Sequence, residues 1–342
     1  MSILITGAAG FIGSQLLHVL VNKGETVVGV DNYSYGNETN LQFEDGDYIK
    51  YVKKIDIRDT KEMDKLFSDN KFEYVFNIAG IAPLPDCQSN PTEAVDVNVN
   101  GLVHILELSR RYGVKTVVQA STNAMYENET AFPVSESFMN LPTLIYPNTK
   151  YCAERFAQSY ADTYGMNVCC VRFANVYGPH VDCLRKQPPF VGYLIRELYY
   201  DRTPVFHSNG KQARDYIYVE DLVELLNLVA HNCKGFDTVN CSSNTSYSVR
   251  EIYGIACEIM GKNIEAEYVD SSNYWKKYPE LYEGAYQIKE SILDHEVNKY
   301  SKCENKYALN KYGWKPNVNI YEGMRRMIKY QVDLFDKLNL KK

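Results

Sequence analysis

A doubly wound parallel α/β sheet with a smaller α/β part appended is the fold class this sequence predicts. Three observations predict it. Short β-branched runs alternate with helical stretches over the first half of the chain. A glycine cluster, "TGAAGFIG", sits between the first strand and the first helix. The alternation then breaks after about Val176. Continuous apolar runs between helices mean strands covered on both faces. Repeated βα units mean that those strands run parallel.

Taken in order, "SILIT" (2–6) reads as a buried strand, followed by a helix over Phe11–Asn22 that Gly24 ends. "TVVGVD" (26–31) is the next strand and "YIKYVKKID" (48–56) the third. A polar helix from about Thr60 to Asp69 leads to the strand "YVFNIAG" (74–80). A single helix is expected from about Glu93 to Tyr112, closed by Gly113. "KTVVQAS" (115–121) is a strand, Pro147–Tyr164 a helix closed by Gly165, and "NVCCVRFANV" (167–176) one more strand. Beyond it lie a loop with three prolines, "YGPHVDCLRKQPPF" (177–190), and a helix from about Val191 to Tyr199. "DTVNCSS" (237–243) reads as a strand returning to the sheet. Ser248 with Glu251 three residues on is a capping box that opens a later helix. The stretch from about Asp270 to Lys306 is polar and receives no assignment. Residues 1–176 are therefore expected to form a dinucleotide-binding domain, rejoined by a segment at about 212–242. Residues at about 177–211 and 243–342 are expected to form the second domain.

Composition narrows the function classes. The 342 residues are 45% hydrophobic, enough for a full core, and carry a net charge of −6. That balance argues against a general nucleic-acid binder. The nine cysteines show neither metal spacing nor a disulfide framework, so they are expected to be buried thiols and no metal site is expected. The apolar first twenty-one residues lack a basic leader and a cleavage site, and no run reaches the length of a membrane span. A cytoplasmic protein away from the membrane is the expectation.

Gly7, Gly10 and Gly13 follow a strand and open a helix. Such a turn lets backbone N–H groups approach a pyrophosphate, and the helix N-terminus adds partial positive charge. The plainer alternative is close packing of helix on strand. Asp31 ends the second strand, where a carboxylate accepts both ribose hydroxyls of NAD and repels a 2′-phosphate. Asn32 and Tyr33 follow in place of an arginine, so NAD is preferred to NADP. The arrangement is Rossmann-type. Asp56 is placed to reach the adenine region, with a solvated turn acid as the alternative.

Tyr146 and Lys150 are four apart, on one face of a helix, with Pro147 acceptable in its first turn. A free tyrosine is a poor base at neutral pH, and a nearby ammonium is expected to lower its pKa by roughly 1–3 units. Ser121 and Thr122 end a strand on the carboxyl side of the sheet, where ligands bind, so Thr122 can bond the same substrate hydroxyl.

Together "TGAAGFIG", Asp31, "NIAG", "NVNGLVHILE", "ASTNAMY", "YPNTK", "RFANVYGP" and "ARDYIYVEDL" resemble the extended short-chain dehydrogenase/reductase family, in its nucleotide-sugar epimerase/dehydratase branch. The resemblance covers nearly the whole chain and weakens after about Asp270. It implies tightly held NAD, with contacts from Phe11, Ile12, Asn32, Ile57 and Ala79 besides the residues above. It implies that Asn98 braces the active site. Asn123 and Asn175 would meet a nucleotide-diphosphate sugar, and Arg214 would pair with its diphosphate. It implies oxidation at a sugar carbon, usually C4, with Tyr146 as base, Thr122 steadying the oxygen and Lys150 holding the phenolate. It also implies a homodimer built on the helices at about 93–112 and 147–164.

Within the branch, similar dehydratases place Asp–Glu just after the threonine. This chain has Asn123–Ala124, and neither supplies a carboxyl acid or base. A 4-epimerase is therefore the favoured reading. The alternatives are a 4,6-dehydratase or another 4-keto-forming enzyme, a simple alcohol dehydrogenase, and a non-catalytic dinucleotide sensor. Glu127 stands where the branch usually has glycine, and a displaced surface acid is the expectation for it. Asp86 and Cys87 fall in a loop that could face the sugar, and His295, Lys299 or Lys302 stand where a late diphosphate-binding arginine is usual.

Overall fold

The hydrophobic runs pair as the alternation requires. The computed structural model describes residues 2–185 and 188–339, so Lys186 and Gln187 of the proline-rich loop lie outside the described residues. Strands Ser2–Thr6 (β1), Thr26–Asp31 (β2), Val52–Lys54 (β3), Tyr74–Asn77 (β4), Thr116–Thr122 (β5), Asn167–Phe173 (β6) and Phe236–Cys241 (β7) form one sheet. Their order is β7-β6-β5-β4-β1-β2-β3 and every pairing is parallel. Helices Phe11–Asn22 (α1) and Val219–Asn232 (α5) cover one face. Thr60–Asp69 (α2), Gly101–Tyr112 (α3) and Ile145–Tyr164 (α4) cover the other. β5 is buried at every position, as its two-sided apolar pattern demands. The strand order reverses direction between β1 and β4, which opens a crevice at their carboxyl ends.

A row of polar groups inside this core is paired. Thr6 Oγ1 donates to Asn77 Oδ1 at 2.6 Å, and Asn77 Nδ2 donates to Gln119 Oε1 at 2.7 Å. Gln119 Nε2 donates to the Ala120 carbonyl at 2.8 Å. The row ties β1, β4 and β5 together beneath the crevice, where an unpaired polar group costs about 1–3 kcal/mol.

Four expectations need correction. The third strand keeps only Val52–Lys54, because Ile49–Tyr51 wind into a 3-10 turn at the sheet edge. The helix expected over 93–112 is broken into Pro91–Val95, a π turn over Asp96–Asn100, and α3. The wide turn lets Asn98 reach the backbone of Ile81. The single strand expected over 167–176 also splits. After Phe173 the chain leaves the sheet, and Asn175–Tyr177 pairs with Ala213–Tyr218 in a separate three-stranded sheet with Ser246–Ser248. Finally, Cys152 is exposed and Cys257 half-exposed, unlike the other seven cysteines.

The second half has its own core of Tyr177, Leu194, Leu198, Phe206, Ile252, Met324, Met327 and Phe335. The helix Val249–Met260 starts at the expected capping box of Ser248 and Glu251. The unassigned stretch contains two short turns, Ser272–Trp275 and Pro279–Tyr282, and the helix Glu290–Asn298. A long helix, Ile320–Lys337, closes this part.

Gly13 is the tightest point of the first βα unit. A Cβ built there lies 2.0 Å from the Gly7 carbonyl oxygen, which is backbone and cannot swing away. Gly13→Ala is expected to cost about 3 kcal/mol or more. Denaturant unfolding checks this, and a loss below about 1 kcal/mol contradicts it.

Candidate active site

Gly7 lies in the left-handed region at φ +68°, and a Cβ on it would stand 2.8 Å from the Ala79 nitrogen. The chain can therefore pass close to β4 before α1 begins at Phe11. The first N–H groups of α1 have no intrahelical acceptors and border the crevice. This cleft has a volume of about 680 Å³. Gly7, Gly10, Phe11, Ile12, Gly13, Asp31, Asn32, Asp56, Ile57 and Ala79 all line it. A glycine-walled cradle at a helix N-terminus, with an acid across it, fits a dinucleotide's pyrophosphate and ribose.

Asp31 is buried at the end of β2. Its carboxylate accepts the Ala9 N–H at 2.9 Å and the Tyr33 N–H at 2.7 Å. Burial raises its pKa, and these backbone donors oppose the rise. Asp56 lines the cleft half-buried and paired, not as a solvated turn acid. It accepts from Arg58 Nη2 at 2.8 Å and from Asn32 Nδ2 at 2.8 Å. The guanidinium holds Asp56 well below the usual carboxylate range. Arg58 goes on to Glu93 at 2.9 Å and Asp96 at 3.1 Å, tying the cleft's rim to the π turn. Sequence reasoning missed Arg58, although it stands two residues after Asp56.

The helix α4 carries Tyr146, Lys150 and Glu154 at successive fours, one stripe facing the carboxyl half of β5. Lys150 Nζ donates to the Ala120 carbonyl at 3.1 Å. Ser121 Oγ donates to Glu154 Oε1 at 2.6 Å. Arg172 on β6 clasps the same carboxylate with two bonds of 2.9 and 2.6 Å, inside the protein. Arg172 Nη1 also donates to Tyr126 Oη at 2.9 Å, and that hydroxyl donates to Asn240 at 2.6 Å. Gly80 admits the lysine: a Cβ there would stand 3.1 Å from Lys150 Nζ and 2.9 Å from Asn98 Oδ1. Asn98 bonds both backbone groups of Ile81, at 2.8 and 2.9 Å, and Thr149 at 3.0 Å. It braces α4 against the loop after β4 and does not line the cleft.

One electrostatic expectation is corrected. Burial pushes the Tyr146 phenol up to about 12, and what opposes it is a hydrogen bond with Thr122 rather than the lysine's charge. Burial brings Lys150 down to about 8, and its ammonium is turned to a backbone carbonyl.

The remaining residues fall in three groups. Asn123 follows Thr122 in a 3-10 turn, and its buried Nδ2 finds no acceptor among the described residues. Asn175 and Arg214 lie on neighbouring strands of the small sheet. Asn175 Nδ2 donates to the Asp215 carbonyl at 3.0 Å. Arg214 Nη2 donates to the Glu296 carbonyl at 3.0 Å, and Nη1 to that of Lys299, so the guanidinium closes the end of the helix Glu290–Asn298. Asp86 accepts Tyr35 Oη at 2.9 Å and Tyr278 Oη at 3.1 Å, joining the cofactor side to the second half. Cys87 is buried, donates to the Ile81 carbonyl at 3.4 Å, and has its thiol pushed up to about 12 by burial, which removes it as a nucleophile at neutral pH. His295 is exposed, Lys302 half-buried, and Lys299 buried against Glu296 at 3.0 Å. Glu127 is buried, contrary to the expectation of a surface acid.

The fold and the cleft define an α/β protein built to hold a dinucleotide. The model of the NAD dependent epimerase/dehydratase family matches residues 3–242. A putative UDP-glucose 4-epimerase of Methanocaldococcus jannaschii is 30% identical over 329 residues, which is 96% of this chain and 97% of that protein. The UDP-glucuronate 4-epimerase of Thermodesulfobacterium geofontis is 27% identical, over 96% of this chain and 95% of its own. Among solved structures, the UDP-glucose 4-epimerase of Thermotoga maritima with UDP-glucose superposes with a TM-score of 0.86 at 28% identity. That match covers 98% of this chain and all of the other. The chain belongs to the NAD dependent epimerase/dehydratase family. Its cofactor is NAD, which the glycine cradle and Asp31 fit. Among the described residues no helix is long and apolar enough to cross a membrane.

Lys150 yields a stability prediction with a definite sign. Its folded pKa of about 8 lies below the ordinary 10.5, because burial penalises the charged form. Below about pH 8 folded and unfolded chains both hold the proton, and the folded state bears the full penalty. Between about 8 and 10.5 the unfolded chain binds more protons, so this contribution to stability rises with pH. Lys150→Met is expected to raise stability at pH 7 by about 1–3 kcal/mol, a gain that shrinks toward pH 10.5. Urea unfolding across that range measures it, and a variant less stable than wild type at pH 7 contradicts it.

Proposed function

We propose that this protein is an NAD-dependent nucleotide-sugar 4-epimerase acting on a UDP-hexose through a transient 4-keto sugar. One observation carries the reading. Tyr146 lies close enough to Thr122, at the carboxyl end of β5, for the threonine hydroxyl to favour its phenolate, and its neighbour on the same stripe, Lys150, packs against Gly80 of the cleft that fits NAD. The names of the relatives support the epimerase and the uridine nucleotide.

In this reading Thr122 and Tyr146 receive the sugar's 4-hydroxyl. NAD supplies the acceptor for the hydrogen at C4, and the positive charge that the phenol lacks without it. Tyr146 takes the hydroxyl proton as the C4–H bond breaks, and returns it when hydrogen is restored to the opposite face. Lys150, fixed on Ala120, keeps an ammonium within the same enclosure while Glu154 and Arg172 hold the helix that carries both residues. In this reading Asn175 and Arg214 meet the diphosphate, which requires the guanidinium to share or exchange its carbonyl partners. Charge-assisted bonds to phosphate are the stronger kind.

Loss of water is disfavoured on chemical grounds. Asn123 and Ala124 carry no carboxyl, and the nearby Glu127 already accepts two backbone N–H groups through Oε1. A dehydratase needs a free acid and base at C5–C6.

Tyr146→Phe is expected to lower kcat for UDP-glucose/UDP-galactose interconversion by about 10²–10⁴-fold, with UDP-sugar affinity within about fivefold. NMR of the products and thermal-shift titration report the two quantities. Turnover surviving in the variant would remove the proton-transfer role.

The reading includes a homodimer through α3 and α4. Phe156 and Tyr164 on α4 are 45% and 55% exposed, with Tyr112 on α3 also exposed. Large aromatic groups at that exposure suit a covered face. Phe156→Glu is expected to shift sedimentation from dimer to monomer, and a wild-type monomer at micromolar concentration overturns the assembly.

A further inference from the structure

The helix that carries Tyr146 does not cap itself. Its N-cap residue is Leu144, whose side chain accepts nothing. The N–H groups leading into it are met from elsewhere in the fold. Glu127 Oε1 accepts the Thr143 N–H, and the Leu144 N–H at 2.9 Å. Gln88 Oε1, from the helix Leu84–Ser89, accepts the Ile145 N–H at 3.2 Å. Tyr146 is the next residue. Its height along α4 is therefore set by two side chains from outside the helix, and Glu127 holds the larger share.

The second oxygen of Glu127 is buried and accepts no hydrogen bond among the described residues. It lies 4.0 Å from Lys299 Nζ, a buried ammonium that also pairs with Glu296 at 3.0 Å. Lys299 and Glu296 are two of the three residues whose carbonyls hold Arg214, the third being its neighbour Ala213. A buried carboxylate without such a partner is costly, and one at a helix N-terminus is favoured by the macrodipole.

We propose that Glu127 is a positioning residue: its carboxylate, held by Lys299, fixes the first turn of α4 so that the Tyr146 phenol meets the substrate oxygen beside Thr122. The inference rests on the epimerase reading for its kinetic consequence but not for its structural one. Fraying of the first turn would release Tyr146 from helical geometry and displace the phenol by more than proton transfer tolerates.

The test uses Glu127→Ala and Glu127→Gln in the full-length protein with its bound NAD. The amide oxygen of glutamine can accept the same two N–H groups, whereas alanine accepts none. In Glu127→Ala, amide exchange over 142–150 is expected to speed up by about tenfold or more while that of α3 is unchanged. Its kcat is expected to fall by about tenfold or more with KM within about threefold. Glu127→Gln is expected to recover both to within about threefold of wild type. Exchange unchanged in Glu127→Ala, exchange raised equally in α3, or a glutamine variant as impaired as the alanine one overturns the proposal. A wild-type protein inactive on every UDP-sugar would sink the functional reading alone, since exchange still decides the role of Glu127.

Discussion

Everything in the site depends on how α4 is held against β5. Three contacts along one stripe fix it: Lys150 on the Ala120 carbonyl, and Glu154 on both Ser121 and Arg172. The Arg172–Glu154 pair is a buried ion pair, and such pairs are poor sources of stability but severe when broken, because one charge is left alone. What it gains here is geometry. With helix and strand locked in register, Tyr146 stands beside Thr122, and the loop after β4 must pass as glycine at position 80 to leave room for Lys150.

The same enclosure sets an electrostatic conflict. Burial pushes the phenol up to about 12 and draws the ammonium down to about 8, so both groups are driven toward their neutral forms. The phenol at about 12 is a poor base at neutral pH as it stands. On the epimerase reading, a cationic ring brought into the cleft would shift the balance for the phenol, so that proton transfer would wait on a loaded cofactor site.

Much of this was legible in the residues. Two-sided apolar strands, Gly7 and Gly13 at unavoidable close approaches, and Asp31 at a strand end state the nucleotide half almost completely. The i, i+4 spacing of Tyr146 and Lys150 placed them on one face. What spacing does not convey is direction. The lysine turns to a carbonyl rather than to the phenol, and the Asp56 carboxylate is already paired with Arg58. The π turn around Asn98 was hidden because its cause, the Ile81 backbone, is distant in sequence. The split after Phe173 was hidden because both pieces are equally β-branched. The helix Ile320–Lys337 was legible and overlooked: Ile320, Met324, Met327, Ile328, Gln331 and Phe335 repeat at helical spacing and are all buried. Glu127 read as a surface acid because nothing in sequence reveals an N-terminus with no cap of its own.

The central claim is that a hydrogen leaves C4 of a UDP-hexose and returns to its other face without meeting solvent, while Tyr146 handles the proton. UDP-glucose carrying deuterium at C4, converted in ordinary water and read by NMR, tests it most directly. The account predicts UDP-galactose with the label retained at C4. Label lost to solvent, or a product with water eliminated and C4 not inverted, would contradict it.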